Sequence, residues 1–258
     1  MSETGFSVRE LWIGEQGNRI YGKLYLPENV SQPPLAVYAH EIACTHSRAK
    51  PYAELLAAKG MALFAPDFRG GGDHCRSDGN TVDMSVETEV QDLERVLDAA
   101  AGWTCVDAAR CVLIGASQGG LVAAIYAARH PERVSALVEL YPAFVVPEAI
   151  KEVFPSIDVV PEKFYFDNWL WMGRKYYEDM WRYDAYGEPM NYKGPVLIMQ
   201  GDCDEIVPLR CAAKAAGLYA DARLHVFRGA GHMFSGGYMD RALKLIDEFL
   251  TGLGLLEG

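Results

Sequence analysis

The residues Gly115-Ala-Ser117-Gln-Gly119-Gly120 follow the apolar run Cys111–Ile114 and lead directly into a second apolar stretch with helical character. A serine hydroxyl becomes a useful nucleophile only when a base accepts its proton and an acid orients that base. The G-x-S-x-G spacing between a strand and a helix suits this task for a steric reason. The serine must sit on a sharp turn in an unfavourable backbone conformation, where side chains at 115 or 119 would collide with neighbouring elements. Such a turn holds Oγ above the carboxyl end of a sheet. It also lies at a helix N-terminus, whose free N–H groups favour developing negative charge.

The chain supplies an acid and a base in the order that this topology expects. Val196–Gln200 reads as a strand and is followed by Gly201-Asp202-Cys203-Asp204-Glu205, three carboxylates within four positions. Leu224-His-Val-Phe-Arg-Gly229-Ala-Gly231-His232 places a histidine in a glycine-bounded loop past the next strand. Asp204 is the favoured acid, deep enough in its loop to reach a histidine over the sheet end. Asp202 is the competitor, with the alternative task of bonding loop amides. The other histidines have plainer readings. His130 ends a helix in Arg129-His130-Pro131, His225 falls inside a strand, His74 sits in a glycine-rich loop, and His40 and His46 flank the loop after Leu35–Ala39.

These groups need elements to hold them. Phe6–Ile13 and Arg19–Leu26 read as two strands split by Gln16-Gly17-Asn18, a hairpin signal. Leu35–Ala39 is a short continuous apolar run, as in a strand buried on both faces. Helix Pro51–Lys59, strand Met61–Pro66, helix Val86–Trp103, strand Cys111–Gly115, helix Gln118–His130 and strand Val134–Leu140 follow. The alternation resumes with strand Val196–Gln200, a helix from about Leu209 to Tyr219, strand Arg223–Phe227 and a helix from about Gly237 to Leu250. It implies a parallel sheet with right-handed crossovers. Between the halves, residues 143–194 break the pattern and hold Trp169, Trp171 and Trp181, three of the five tryptophans. So aromatic a segment is expected to pack on the rest of the molecule as an inserted cap. The core is then 1–142 and 195–258.

Composition narrows the partners. The 258 residues carry 24 Lys+Arg against 35 Asp+Glu, a formal charge of −11, with half of the residues hydrophobic. That excludes a disordered chain and argues against nucleic acid, which needs clustered cations. No run of 18 apolar residues offers a membrane span, and the start MSETGFSVRELWIGEQ lacks the basic and apolar regions of a secretory signal, so the expected compartment is the cytoplasm. The six cysteines show no CxxC pairing and read as reduced thiols. His40, Cys44, His46 and Cys75 match no common metal spacing. Arg69-Gly-Gly-Gly-Asp73 is not followed by the Gly-Lys-Ser/Thr of a phosphate loop, so no cofactor or metal is expected.

The chain resembles the α/β-hydrolase superfamily over nearly its whole length. It is most similar to bacterial cinnamoyl (feruloyl) esterases and related carboxylesterases. The matching pieces are Tyr38-Ala-His40-Glu-Ile42, Pro66-Asp67-Phe-Arg69-Gly70, Asp78-Gly79, Gly115-Ala-Ser117-Gln118-Gly119-Gly120, Gly201-Asp-Cys-Asp204-Glu-Ile-Val-Pro208 and Gly229-Ala-Gly231-His232-Met-Phe. The resemblance implies an α/β-hydrolase fold, a mostly parallel eight-stranded sheet flanked by helices with a small inserted cap. It implies Ser117, Asp204 and His232 as the triad, and the backbone N–H groups of Ile42 and Gln118 as an oxyanion hole. The expected activity is hydrolysis of small carboxylic esters, hydroxycinnamoyl esters among them, with a homodimer left open. A thioesterase, a short-peptide or lactone hydrolase, or a binding module that has lost catalysis, would carry the same residues. Two positions depart from the family pattern. Glu41 stands where the oxyanion loop commonly has glycine after histidine, and a carboxylate there opposes negative charge unless it is paired or points away. Ala116 replaces a histidine often found before the nucleophile.

Overall fold

The computed structural model describes residues 5–72, 74–166 and 169–256. The first four residues of the stretch MSETGFSVRELWIGEQ and Asp73 of the glycine-rich loop lie outside them. Strands β1 (Phe6–Ile13) and β2 (Ile20–Pro27) form the expected antiparallel hairpin, with Gly17 at φ +87° in the turn. Then come β3 (Pro34–Ala39), α1 (Lys50–Ala58), β4 (Ala62–Pro66), α2 (Val86–Ala100), β5 (Asp107–Ala116), α3 (Gln118–Arg129) and β6 (Ala136–Leu140). The second half supplies β9 (Val196–Gly201), α6 (Leu209–Leu218), β10 (Ala222–Phe227) and α7 (Gly237–Gly252). Between the halves lie α4 (Val146–Val153), the two-stranded hairpin β7 (Lys163–Phe166) and β8 (Leu170–Gly173), and α5 (Arg174–Met180).

The eight-stranded sheet runs β1-β2-β4-β3-β5-β6-β9-β10. β2 pairs antiparallel with β1 and β4, and every pairing from β4 to β10 is parallel. Alternate residues of one strand face opposite layers. Leu35, Val37 and Ala39 join the core under α2, α3 and α6, whereas Ala36 and Tyr38 join the core under α1 and α7. Burial of both faces is why the central strands read as continuous apolar runs. β5 begins at Asp107 rather than at Cys111, because Asp107-Ala-Ala-Arg110 is charged at both ends and only partly covered, which breaks the apolar signal, and its register with β3 shifts between Pro34 and Leu35. α2 opens with a capping box, in which the Ser85 hydroxyl accepts from Thr88 N and the Thr88 hydroxyl from Ser85 N.

The aromatic segment packs on the core through Phe144, Tyr176, Tyr177 and Tyr192, all buried. Its hairpin leaves part of the aromatic surface outside. Tyr165 and Trp171 are cross-strand partners on the outward face, 48% exposed each, and Trp169 is 45% exposed. Period-two alternation turns Phe164 and Met172 inward and leaves the ring pair outside, with Lys163 Nζ 4.4 Å above the Trp171 ring. All six cysteines are free, and no helix among the described residues is long and apolar enough to cross a membrane.

Candidate active site

β5 delivers the chain to Ser117, which turns it sharply into α3 at φ +52°, ψ −119°. That conformation costs a serine about 1–3 kcal/mol and survives only where surroundings enforce it. Here Ser117 N donates to Leu140 O at 2.9 Å, while Gly120 N and Ala143 N both donate to Ser117 O at 2.9 Å. The flanking glycines have the steric task expected of them. A Cβ at Gly115 would overlap the Gly119 carbonyl, and one at Gly119 would overlap the Ala39 and His40 carbonyls at the end of β3. Ser117 itself is 6% exposed.

The loops after β9 and β10 meet over this turn. His232 Nε2 lies 3.0 Å from Ser117 Oγ, and His232 Nδ1 lies 2.8 Å from Asp204 Oδ2. A carboxylate only accepts, so Nδ1 carries the proton and Nε2 is left to accept from the serine. Asp204 Oδ1 accepts from Ile206 N at 2.9 Å and Val207 N at 2.8 Å, and Oδ2 also accepts from Gln200 Nε2 at 2.8 Å. Burial alone would raise the Asp204 carboxyl. The hydrogen bonds from His232, Val207 and Gln200 outweigh it and hold the group below its ordinary range. Asp202 does the other work foreseen for it, accepting from Gly229 N at 2.7 Å, and Glu205 is exposed.

Two of the competing histidines, His40 and His46, are committed elsewhere. His40 Nε2 accepts from Phe68 N at 3.0 Å and its Nδ1 donates to Glu41 O at 2.8 Å. His46 Nδ1 pairs with the buried Asp67 at 2.8 Å, and Cys75 Sγ donates to Phe68 O at 3.0 Å. Ile42 and Gln118 lie in the loop after β3 and at the first position of α3. Among the described residues, neither backbone N–H donates to a protein acceptor. The Gln118 side chain is pinned, its Oε1 accepting from Tyr176 Oη at 2.7 Å. Glu41 is paired, with Arg48 Nε donating to Oε1 at 3.4 Å. Ala116 is fully buried in the second core layer.

Five non-glycine residues among those described adopt positive φ, and four of them border this place: Ala43, Ser117, Tyr141 and Met233. Backbone strain gathers where side chains must be held for function. Sequence reasoning missed Gln200 and Tyr141. Gln200 had left a trace, as the polar residue that closes the apolar run Val196–Met199, four places before Asp204. Tyr141, directly after an apolar strand, gave none.

The fold has many solved counterparts. The structure of Est1E from Butyrivibrio proteoclasticus with ferulic acid bound superposes with a TM-score of 0.85 at 23% identity, over 94% of this chain and 98% of that one. Mouse α/β-hydrolase domain-containing protein 10 gives a TM-score of 0.79 at 19% identity, over 95% and 99%. A Yersinia pestis protein named as a carboxymethylenebutenolidase is 25% identical over 248 residues, 91% of this chain and 81% of its own length. The prolyl oligopeptidase family profile matches residues 48–253, which take in β4 to β10, Ser117, Asp204 and His232. The chain is therefore an α/β hydrolase, and it belongs to the prolyl oligopeptidase family.

Proposed function

We propose that the chain hydrolyses small carboxylic esters through an acyl-enzyme on Ser117, with His232 as base, Asp204 as its orienting acid, and the Ile42 and Gln118 amides as oxyanion donors. The observation that carries this reading is the unbroken hydrogen-bonded row from Ser117 Oγ through His232 to Asp204. His232 Nε2 takes the hydroxyl proton as Oγ attacks the carbonyl carbon. The carbonyl oxygen becomes an oxyanion beside the two amides, and the imidazolium is stabilised by Asp204. His232 then protonates the departing alcohol. Water attacks the acyl carbon, passing its proton to His232, and Ser117 leaves with a proton returned to Oγ.

Residues 143–194 are read as a cap over this site, on a core of 1–142 and 195–258. Their aromatic content supports a planar acyl group, and the likeness of fold to an enzyme solved with ferulic acid supports a hydroxycinnamoyl ester. A lactone is the second reading, supported by the name of the Yersinia relative. A panel of p-nitrophenyl acetate, a long-chain ester, methyl ferulate, a lactone and a thioester separates them. Preference for methyl ferulate is the expected result. Acetate turnover without it removes the hydroxycinnamoyl reading and leaves ester hydrolysis standing.

A further inference from the structure

Glu41 replaces the glycine of the common oxyanion loop, and it is buried at 3% exposure. Its carboxylate meets three donors. Tyr141 Oη donates to Oε1 at 3.0 Å, Tyr38 Oη to Oε2 at 3.3 Å, and Arg48 Nε to Oε1 at 3.4 Å. Burial first, and then the charge of Glu41, push both phenols well above their usual range, so each remains a donor.

Tyr141 connects this carboxylate to the base. It follows β6 directly, at φ +41°, with its N–H donating to Met199 O at 2.7 Å. Its ring meets the His232 ring edge-on, with centroids 4.8 Å apart at 62°, and packs against Phe234 at 5.0 Å and 89°. Arg48 reaches the same loop from the other side, Nη2 donating to Met233 Sδ at 3.5 Å, and Met233 is itself at φ +64°. One carboxylate thereby ties together the loop that carries Ile42, the turn after β6 and the loop that carries His232.

The imidazole reaches its place through χ1 and χ2, and its two nitrogen contacts leave it room to shift within the tolerance of a hydrogen bond. The Tyr141 ring, packed against it at 62°, narrows that room. We infer that Tyr141 is a positioning residue for His232, and that Glu41 with Arg48 is the anchor that holds Tyr141 in place. The inference rests on His232 being the base, as proposed above.

The test uses the full chain with Tyr141→Phe and Arg48→Met, assayed on p-nitrophenyl acetate. For Tyr141→Phe, kcat falls about 10-fold, within the roughly 100-fold that a 1 Å misplacement can cost. KM changes by less than about twofold, because ground-state binding is untouched. The downfield proton NMR signal of His232 Nδ1–H shifts or broadens. Arg48→Met moves kcat in the same direction. Glu41→Gln, which keeps an oxygen for the Tyr141 hydroxyl, retains more activity than Glu41→Leu. A folded Tyr141→Phe protein with wild-type kcat and an unchanged signal overturns the inference. If that variant does not fold, the half-exposed Arg48 decides, and an unaltered kcat in Arg48→Met overturns it. Failure of the underlying reading looks different, because a fluorophosphonate then fails to label Ser117 in the unsubstituted enzyme.

Discussion

The Gln200 side-chain amide donates to the same Asp204 oxygen that faces His232, each at 2.8 Å. Its Nε2 also lies 3.0 Å from Val207 O and 3.4 Å from Gly201 O, so the amide nitrogen is aimed at acceptors only. Gln200→Leu removes that donor from a buried carboxylate, and hydrogen bonds to charged groups contribute about 1.5–3 kcal/mol. Because Asp204 is held below its ordinary value near 3.8, its contribution to stability is present above that pH and is lost as the pH falls through the lowered value. The variant raises the folded-state value, so its deficit against wild type should be largest at neutral pH and shrink in strong acid. Urea unfolding at pH 7 and pH 3 measures this, and a deficit independent of pH would speak against it.

Gly119 has backbone carbonyls of Ala39 and His40 where its Cβ would sit, and neither can retreat without moving the end of β3. Gly119→Ala should therefore destabilise by about 1–3 kcal/mol or more and displace the serine. Thermal unfolding together with esterase activity checks both effects. Full activity at wild-type stability would contradict the steric account of the turn.

Tyr176 of α5 donates to Gln118 Oε1 at 2.7 Å, and both residues are buried. Tyr176→Phe leaves that oxygen without its donor, a loss of about 1–3 kcal/mol. It also frees the residue whose amide is proposed to meet the oxyanion. Both stability and kcat are expected to fall, and loss of stability alone would separate the segment 143–194 from catalysis.

Glu139 lies mid-sheet in β6 with no exposure, and Tyr219 Oη donates to its Oε1 at 2.9 Å. Burial raises its carboxyl from 4.5 to about 8, with the Tyr219 bond opposing weakly. The unfolded chain loses this proton near pH 4.5 and the folded chain keeps it to about 8, so stability from this site falls as pH rises between those values. Glu139→Gln removes the titration, and its stability relative to wild type should climb from pH 5 to pH 8. A difference that stays flat across that range would contradict the protonated carboxyl.

Most of the sheet could be read from the chain because strands buried on both faces and helices buried on one leave different periods. The serine turn, the acid loop and the histidine loop were readable because each follows such a strand. The hairpin β7–β8 was not, since its alternating Lys163-Phe-Tyr-Phe166 and Leu170-Trp-Met-Gly173 are short and aromatic on both faces. The bond of Tyr141 to Glu41, and the contact of Tyr141 with His232, join residues 100 and 91 positions apart and depend on how three loops converge. No local pattern records that.

The most direct test of the central claim is fluorophosphonate labelling of the purified chain, followed by mass mapping of the modified peptide. One adduct on Ser117 is expected, and it should be absent from Ser117→Ala, whose kcat should drop by about 10⁴–10⁶. An adduct at another residue, or ester hydrolysis that persists undiminished in Ser117→Ala, would contradict the account.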